Sequence, residues 1–225
     1  MDPIVTGGLI VGGATASKRF IDGLIGPSAD AAGAWVRDRI ALIMGQNVEA
    51  VAKRAQRMVE DSGRPAEEVP LKQLIPILQG AALEKDALLQ DRWAALLANA
   101  ATASGNSELS AVFAEILGRL RPIDAQILDI LVDAGVQPTQ RGGMLRETLE
   151  ERLAGVHSEE LELSLSVLGR EGLVESQPKR IYAGSLSESD PEDAFRVTSV
   201  ATRFVRACRP PVRRVTDTGL SGRGG

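Results

Sequence analysis

The single histidine and the single cysteine, His157 and Cys208, are the side chains of this 225-residue sequence with the most chemistry in them. Paired, they could supply a thiolate nucleophile and its base. That arrangement needs a third group to orient the imidazole, and the sequence points to none. One cysteine excludes an intramolecular disulfide, and with one histidine it leaves too few ligands for a Cys/His zinc site. His157 stands before Ser158, a natural helix N-cap, and reads as an exposed boundary residue. Cys208, at the end of an apolar helical pattern, reads as a packing residue. Residues 7–20, GGLIVGGATASKRF, invite a phosphate-loop reading. A Walker loop places glycine directly before its lysine and a hydroxyl residue after it, whereas here Ser17 precedes Lys18 and Arg19 follows. No GxGxxG occurs either. The expectation is a protein with no catalytic residues, no metal site and no cofactor.

Residues 163–176, LSLSVLGREGLVES, raise a different chemistry, the reading of DNA. A helical pattern ends in Leu168-Gly169-Arg170-Glu171-Gly172 and an apolar pair enters a strand, as a recognition helix hands over to the wing of a winged helix. Over residues 158–171 helical spacing buries Leu161, Leu165 and Leu168 and turns Glu159, Glu162, Ser166 and Arg170 outward, with Glu160 and Glu171 beside them. DNA affinity rests on several cations meeting phosphates, and this face sets one arginine against four carboxylates. The wing adds Lys179 and Arg180 against Glu188, Asp190, Glu192 and Asp193. Specific DNA binding is not expected; a structural or protein-binding use of the helix is.

These residues need a scaffold, and the totals describe one. An apolar fraction of 44% with 25% charged residues is ordinary for a soluble globular chain, and aromatics at 3% favour helix packing over aromatic-rich sheets. The net charge of −4 is unevenly spread. Residues 121–208 hold 10 basic and 15 acidic side chains, whereas residues 209–225 hold 4 and 1, so the DNA-reader-like region is the most acidic part. No secretory signal is visible, which with the lone cysteine fits a reducing cytoplasm. The longest uncharged start, residues 3–17, is broken by glycines and falls short of the roughly 20 apolar residues a membrane span needs. A peripheral membrane contact through Leu9, Ile10, Val11, Phe20, Leu24 and Ile25, with Lys18 and Arg19, stays a minor option.

The pattern along the chain divides into a Gly-rich segment (1–26), a helical module (27–120), a winged-helix-like module (121–208) and a basic tail (209–225). Residues 4–26 predict weak or interrupted helix. From residue 29 to 60 apolar positions recur at three and four, predicting one long amphipathic helix bent near Gly45. Further helices are predicted at 71–83, 84–102, 109–120, 122–135, 144–155, 158–172 and 199–208, with short strands at 173–176 and 195–198. Pro122 and Asp124 suit a first helical turn. Three helices, strand–loop–strand and a helix is the order of a winged helix with a C-terminal extension. The fold expected is therefore mainly α, a helical module followed by a winged-helix-like α+β module. From Arg209 onward no apolar periodicity remains, and the tail reads as disordered, its Arg209, Arg213, Arg214 and Arg223 free to touch anions.

The run LLQDRWAALLANAAT followed by FAEILGRLRPIDAQILDIL resembles the bacterial family Abi-alpha, named for abortive infection. The matching residues are Trp93, Ala94, Leu96, Leu97, Ala98, Asn99 and Ala100, then Leu120, Pro122, Asp124, Ala125, Ile127 and Leu128. Residues 26–40, GPSADAAGAWVRDRI, look like the family's Gly-Pro start, and LGREGLVES and VTSVATRFVRAC look like its C-terminal part. Arg121 departs from the family's serine, which would have capped the following helix, so the cap must come from elsewhere or be missing. The resemblance implies a bacterial phage-defence protein and supplies no enzymatic mechanism. Of its hallmark residues Trp93, Leu96, Leu97, Asn99, Pro122 and Asp124, the large aromatic should anchor the core and Asn99 should bond to neighbouring backbone. An alternative makes Arg92 and Asn99 the rim of a partner-binding groove, seven residues apart on one helix. An unidentified protein partner is expected. Runner-up readings are a winged-helix DNA-binding regulator and a membrane-perturbing effector.

Overall fold

The computed structural model describes residues 10–25, 34–102, 108–135, 143–153, 155–177 and 194–212. Ten helices and three short strands lie among them: α1 (Ile10–Ile25), α2 (Ala34–Ile43), α3 (Gln46–Ser62), α4 (Leu71–Leu83), α5 (Ala87–Thr102), α6 (Glu108–Leu117), α7 (Pro122–Asp133), β1 (Met144–Leu145), α8 (Arg146–Arg152), α9 (Ser158–Arg170), β2 (Val174–Gln177), β3 (Ala194–Val197) and α10 (Ser199–Ala207). The molecule is mainly α with a small α+β part, as the periodicity predicts. The glycine-rich start of the chain, the wing residues Lys179 to Asp193 and the tail from Arg213 lie outside the described residues.

The N-terminal helices depart from expectation in three places. Residues 10–25 form one uninterrupted helix despite Gly12, Gly13 and Gly23. Ile21, Leu24 and Ile25 are buried, and α1 packs on α3; tertiary burial outweighs the weak helix propensity of glycine. The single long helix expected over 29–60 is two helices. Gly45 adopts extended backbone, φ −155° and ψ −179°, and cuts α2 from α3. Helix α5 starts at Ala87 rather than residue 84, because Asp86 Oδ1 accepts the N–H groups of Leu88 and Leu89 at 2.9 and 3.1 Å, an N-cap.

The C-terminal part corrects a fourth expectation. The segment read as a helix from residue 144 begins instead with β1, and only Arg146–Arg152 is helical. Met144 pairs with Phe195 of β3, and β2 pairs with the other edge of β3, giving antiparallel order β1-β3-β2. A two-residue strand carries no periodicity that a sequence could display. Gly172 turns α9 into β2 at φ +69°, the left-handed conformation glycine adopts at no steric cost.

The buried side chains form one continuous cluster from Ile21 to Cys208, with no break at residue 121. Helix α5 runs through it, packed by α3, α4, α6, α7 and α10. Helix α10 belongs to the chain's end yet reaches back to the helical half. Its Phe204 ring meets Phe113 of α6 edge to face, with centroids 5.6 Å apart.

Candidate functional site

Helix α5 carries the hallmark residues, and the structure buries it almost all round: twelve of its sixteen residues are buried. Leu96 and Leu97 are wholly buried and Trp93 is 1% exposed. The indole occupies the space where Gly80 of α4 would carry a Cβ; that atom would lie 2.1 Å from Trp93 Cη2. Gly80 is therefore the partner of Trp93, since no other residue lets α4 approach the ring so closely. An open groove of about 280 Å³ lies beside the ring between α4 and α6, lined in part by Pro76, Gly80, Ala114 and Gly118. A larger cavity of about 500 Å³ lies by α1 and α2, lined by Lys18, Asp22 and Asp38 around apolar Ile21, Ile25 and Ile40. Among the described residues no group of three His, Cys, Asp or Glu side chains converges as a metal site would require.

The polar hallmark residues meet at a seam joining α5, α7 and the end of α10. Arg92 is nearly buried and ion-pairs with Asp129 of α7; it also donates to the carbonyl of Ala125 at 3.2 Å. Asn99, seven residues on, places Nδ2 2.9 Å from the Ala207 carbonyl and 2.7 Å from that of Arg209, besides 3.0 Å from Ala95 in its own helix. It thus satisfies carbonyls that the end of α10 leaves open. Arg209 closes the seam from the other side, at 3.0 Å from Asp129 and 2.8 Å from Asp133. Arg92 and Asn99 do share one side of α5, but Arg92 Nη2 and Asn99 Nδ2 are bonded inside the chain and form no open rim, while Arg92 Nε is buried without a partner. The tail expectation also needs correcting: Arg209 is anchored by two carboxylates, and the described chain continues to Val212. Asp129 and Asp133, exposed carboxylates by sequence pattern, are what the seam needed and the sequence did not single out.

Cys208 lies beside this seam, buried. Burial pushes its thiol up to about 12, with smaller opposing influences from Arg92 and Asp129. At neutral pH it is a protonated thiol and no nucleophile. His157 is exposed, and it occupies the N-cap position of α9 that Ser158 was expected to take. The imidazole makes no cap bond there, and Ser158 instead enters the Arg146–Glu150 pair.

A second node explains how α7 begins without the family's serine. Asp124, 0% exposed, accepts the Arg121 backbone N–H at 2.8 Å. A guanidinium has no acceptor and cannot return a bond to the Asp124 N–H as a serine would. Arg121 turns its side chain inward instead, pairing with Asp124 Oδ1 at 3.0 Å and donating to Ser164 Oγ of α9 at 2.6 Å. The substitution trades a local cap for a tie between α7 and α9. Pro122 takes the first helical position, as expected.

The outward stripe of α9 is as the spacing predicts. Leu161, Leu165 and Leu168 are buried, and Glu159, Glu160, Glu162, Ser166 and Arg170 are exposed. Ser164, not foreseen, joins the buried side. Leu163 stands out at 55% exposed in the middle of the acidic stripe. Arg146 of α8 reaches this stripe and is committed to Glu150 at 3.2 Å and Glu162 at 3.8 Å.

The sequence profile described as abortive infection alpha matches residues 44–208, which covers both the α5 seam and the α7–α10 unit. The chain belongs to the abortive infection alpha family. That membership places it, at a coarse level, among proteins of abortive infection, a phage defence. No curated protein and no solved structure matches the chain. Among the described residues no helix is long and apolar enough to cross a membrane.

Proposed function

We propose that the protein is a cytoplasmic, non-enzymatic defence factor that acts by binding another protein through its C-terminal α/β unit. The reading draws support from the order α7-β1-α8-α9-β2-β3-α10 with sheet order β1-β3-β2, which resembles that of a winged helix with α9 as its recognition helix. The observation that carries the reading is the outward face of α9, which offers Glu159, Glu160 and Glu162 around the exposed Leu163. Phosphates repel such a face, while a half-exposed leucine framed by charges is a protein-contact surface in miniature.

The test combines a gel shift with phage plaquing. Full-length protein should show no sequence-selective duplex binding at physiological salt. A Glu159→Lys/Glu162→Lys variant should keep its thermal melt yet lose protection against phage. Tight, selective duplex binding that disappears in Arg170→Ala would overturn the reading in favour of a DNA-binding regulator.

A further inference from the structure

Helix α10 carries the opposite surface to α9. Ala201, Phe204 and Val205 face the core, and Ser199, Val200, Arg203 and Arg206 form the outward stripe. Neither Arg203 nor Arg206 has an ion-pair partner among the described residues, whereas Arg209 just beyond them is taken by Asp129 and Asp133. Val200, 44% exposed, lies beside Arg203 on the same stripe. On α9 the same pattern recurs with the sign reversed: Glu159 and Glu162 flank Leu163. Helix α8 adds exposed Glu147 and Glu151, against one exposed cation, Arg152. The two helices are packed differently: α9 lies on α7 and β2, and α10 on α5, α6, α7 and β3.

From this complementarity we infer that the α9 stripe of one copy docks on the α10 stripe of a second copy, with Leu163 and Val200 as the apolar anchors inside the charged frame. The inference rests on the α9 face being a protein-binding surface, and it names the partner as the chain itself. Because the two patches differ, every contact joins an α9 to an α10: two copies can make it twice across a two-fold axis, and further copies can add head to tail into a ring or an open filament. Two single-helix stripes make an interface at the small end of the range, below about 1,200 Å², so the contact is weak and concentration-dependent alone and gains from repetition. Opposite charges at the surface also make it salt-sensitive.

Sedimentation velocity of the full chain tests this. In dilute salt, where the Debye length is about 30 Å, the average mass should rise with concentration to the dimer or beyond it, and at about 1 M salt it should return to the monomer. Arg203→Glu/Arg206→Glu and Glu159→Lys/Glu162→Lys should each stay monomeric in dilute salt with unchanged melts. Mixed one to one, the two variants should associate again, because each then meets the opposite charge on its partner. A wild type that is monomeric at every concentration, or variants that fail to re-associate on mixing, would overturn the inference. The plaque assay separates this from the underlying reading. If the wild type is monomeric but Glu159→Lys/Glu162→Lys still loses protection, the α9 face binds a different protein. If protection is unchanged as well, the protein-binding reading falls too.

Discussion

Helices α5 and α9 were the two stretches whose sequences asked for attention, and the structure uses them in opposite ways. Helix α5 carries the family hallmark and is buried almost all round, its Arg92 and Asn99 bonded to α7 and to the end of α10. Helix α9 buries one stripe and leaves the rest to solvent. A distinctive sequence motif thus marks the place where the molecule is held together, and the exposed charged stripe lies on the other helix. Arg92 and Asn99 teach this most directly. On a helical wheel they resemble a rim; in the fold they are the rivets of a seam.

The contrast can be broken by substitution, beginning where the effect should be largest. Trp93→Ala removes the largest fully buried side chain among the described residues and should lower unfolding free energy by about 3–5 kcal/mol, measured by denaturant titration. A loss below 1 kcal/mol would mean that the α5 core collapses without strain and that Trp93 is free for another role. Asp129→Asn leaves Arg92 buried without its counter-charge. It should lower stability by about 2–3 kcal/mol, less than a fully buried pair would, because Asp129 keeps a third of its side-chain exposure. Gly80→Ala should destabilise by about 1–2 kcal/mol even though alanine is the better helix former, since the new methyl has to displace the indole. In a Trp93→Phe background the same change should become neutral or stabilising, and additive effects would show that the two sites do not couple. The smallest effect belongs to α9: Glu159→Lys with Glu162→Lys should move stability by no more than about 0.5 kcal/mol, as exposed substitutions do. A large loss in the melt would show that the acidic stripe supports the fold and would remove the contrast.

The sequence displays what repeats. Helical periodicity placed α4, α6, α7, α9 and α10 within a few residues, and the buried stripe of α9 came out as Leu161, Leu165 and Leu168. The departures share a cause: each depends on a partner far away in sequence. Helix α1 holds together because α3 covers it, and β1 exists because β3 lies beside it. Arg209 looked free because nothing near it in sequence announces Asp129 and Asp133, and Asp124 substitutes for a serine cap only with Arg121 folded over it. Gly45 was recognised as a weak point, but whether a glycine bends or cuts a helix is decided by what α2 and α3 each pack against. At the candidate site, the apolar anchor Trp93 was legible from its place on an apolar face, whereas the use of the polar residues was not.

The bonds from Asn99 to the carbonyls of Ala207 and Arg209 also set an order in time. A ribosome adding on the order of ten residues per second completes α5 roughly ten seconds before the residues it must grip have been made. Until then the faces of α5 and α6 that await Phe204 and Cys208 are uncovered, and the helical half is a platform lacking its last piece. The long separation between these contacts slows closure further. Synthesis that stalls before α10 yields a chain whose hallmark helix is complete and whose seam is still open.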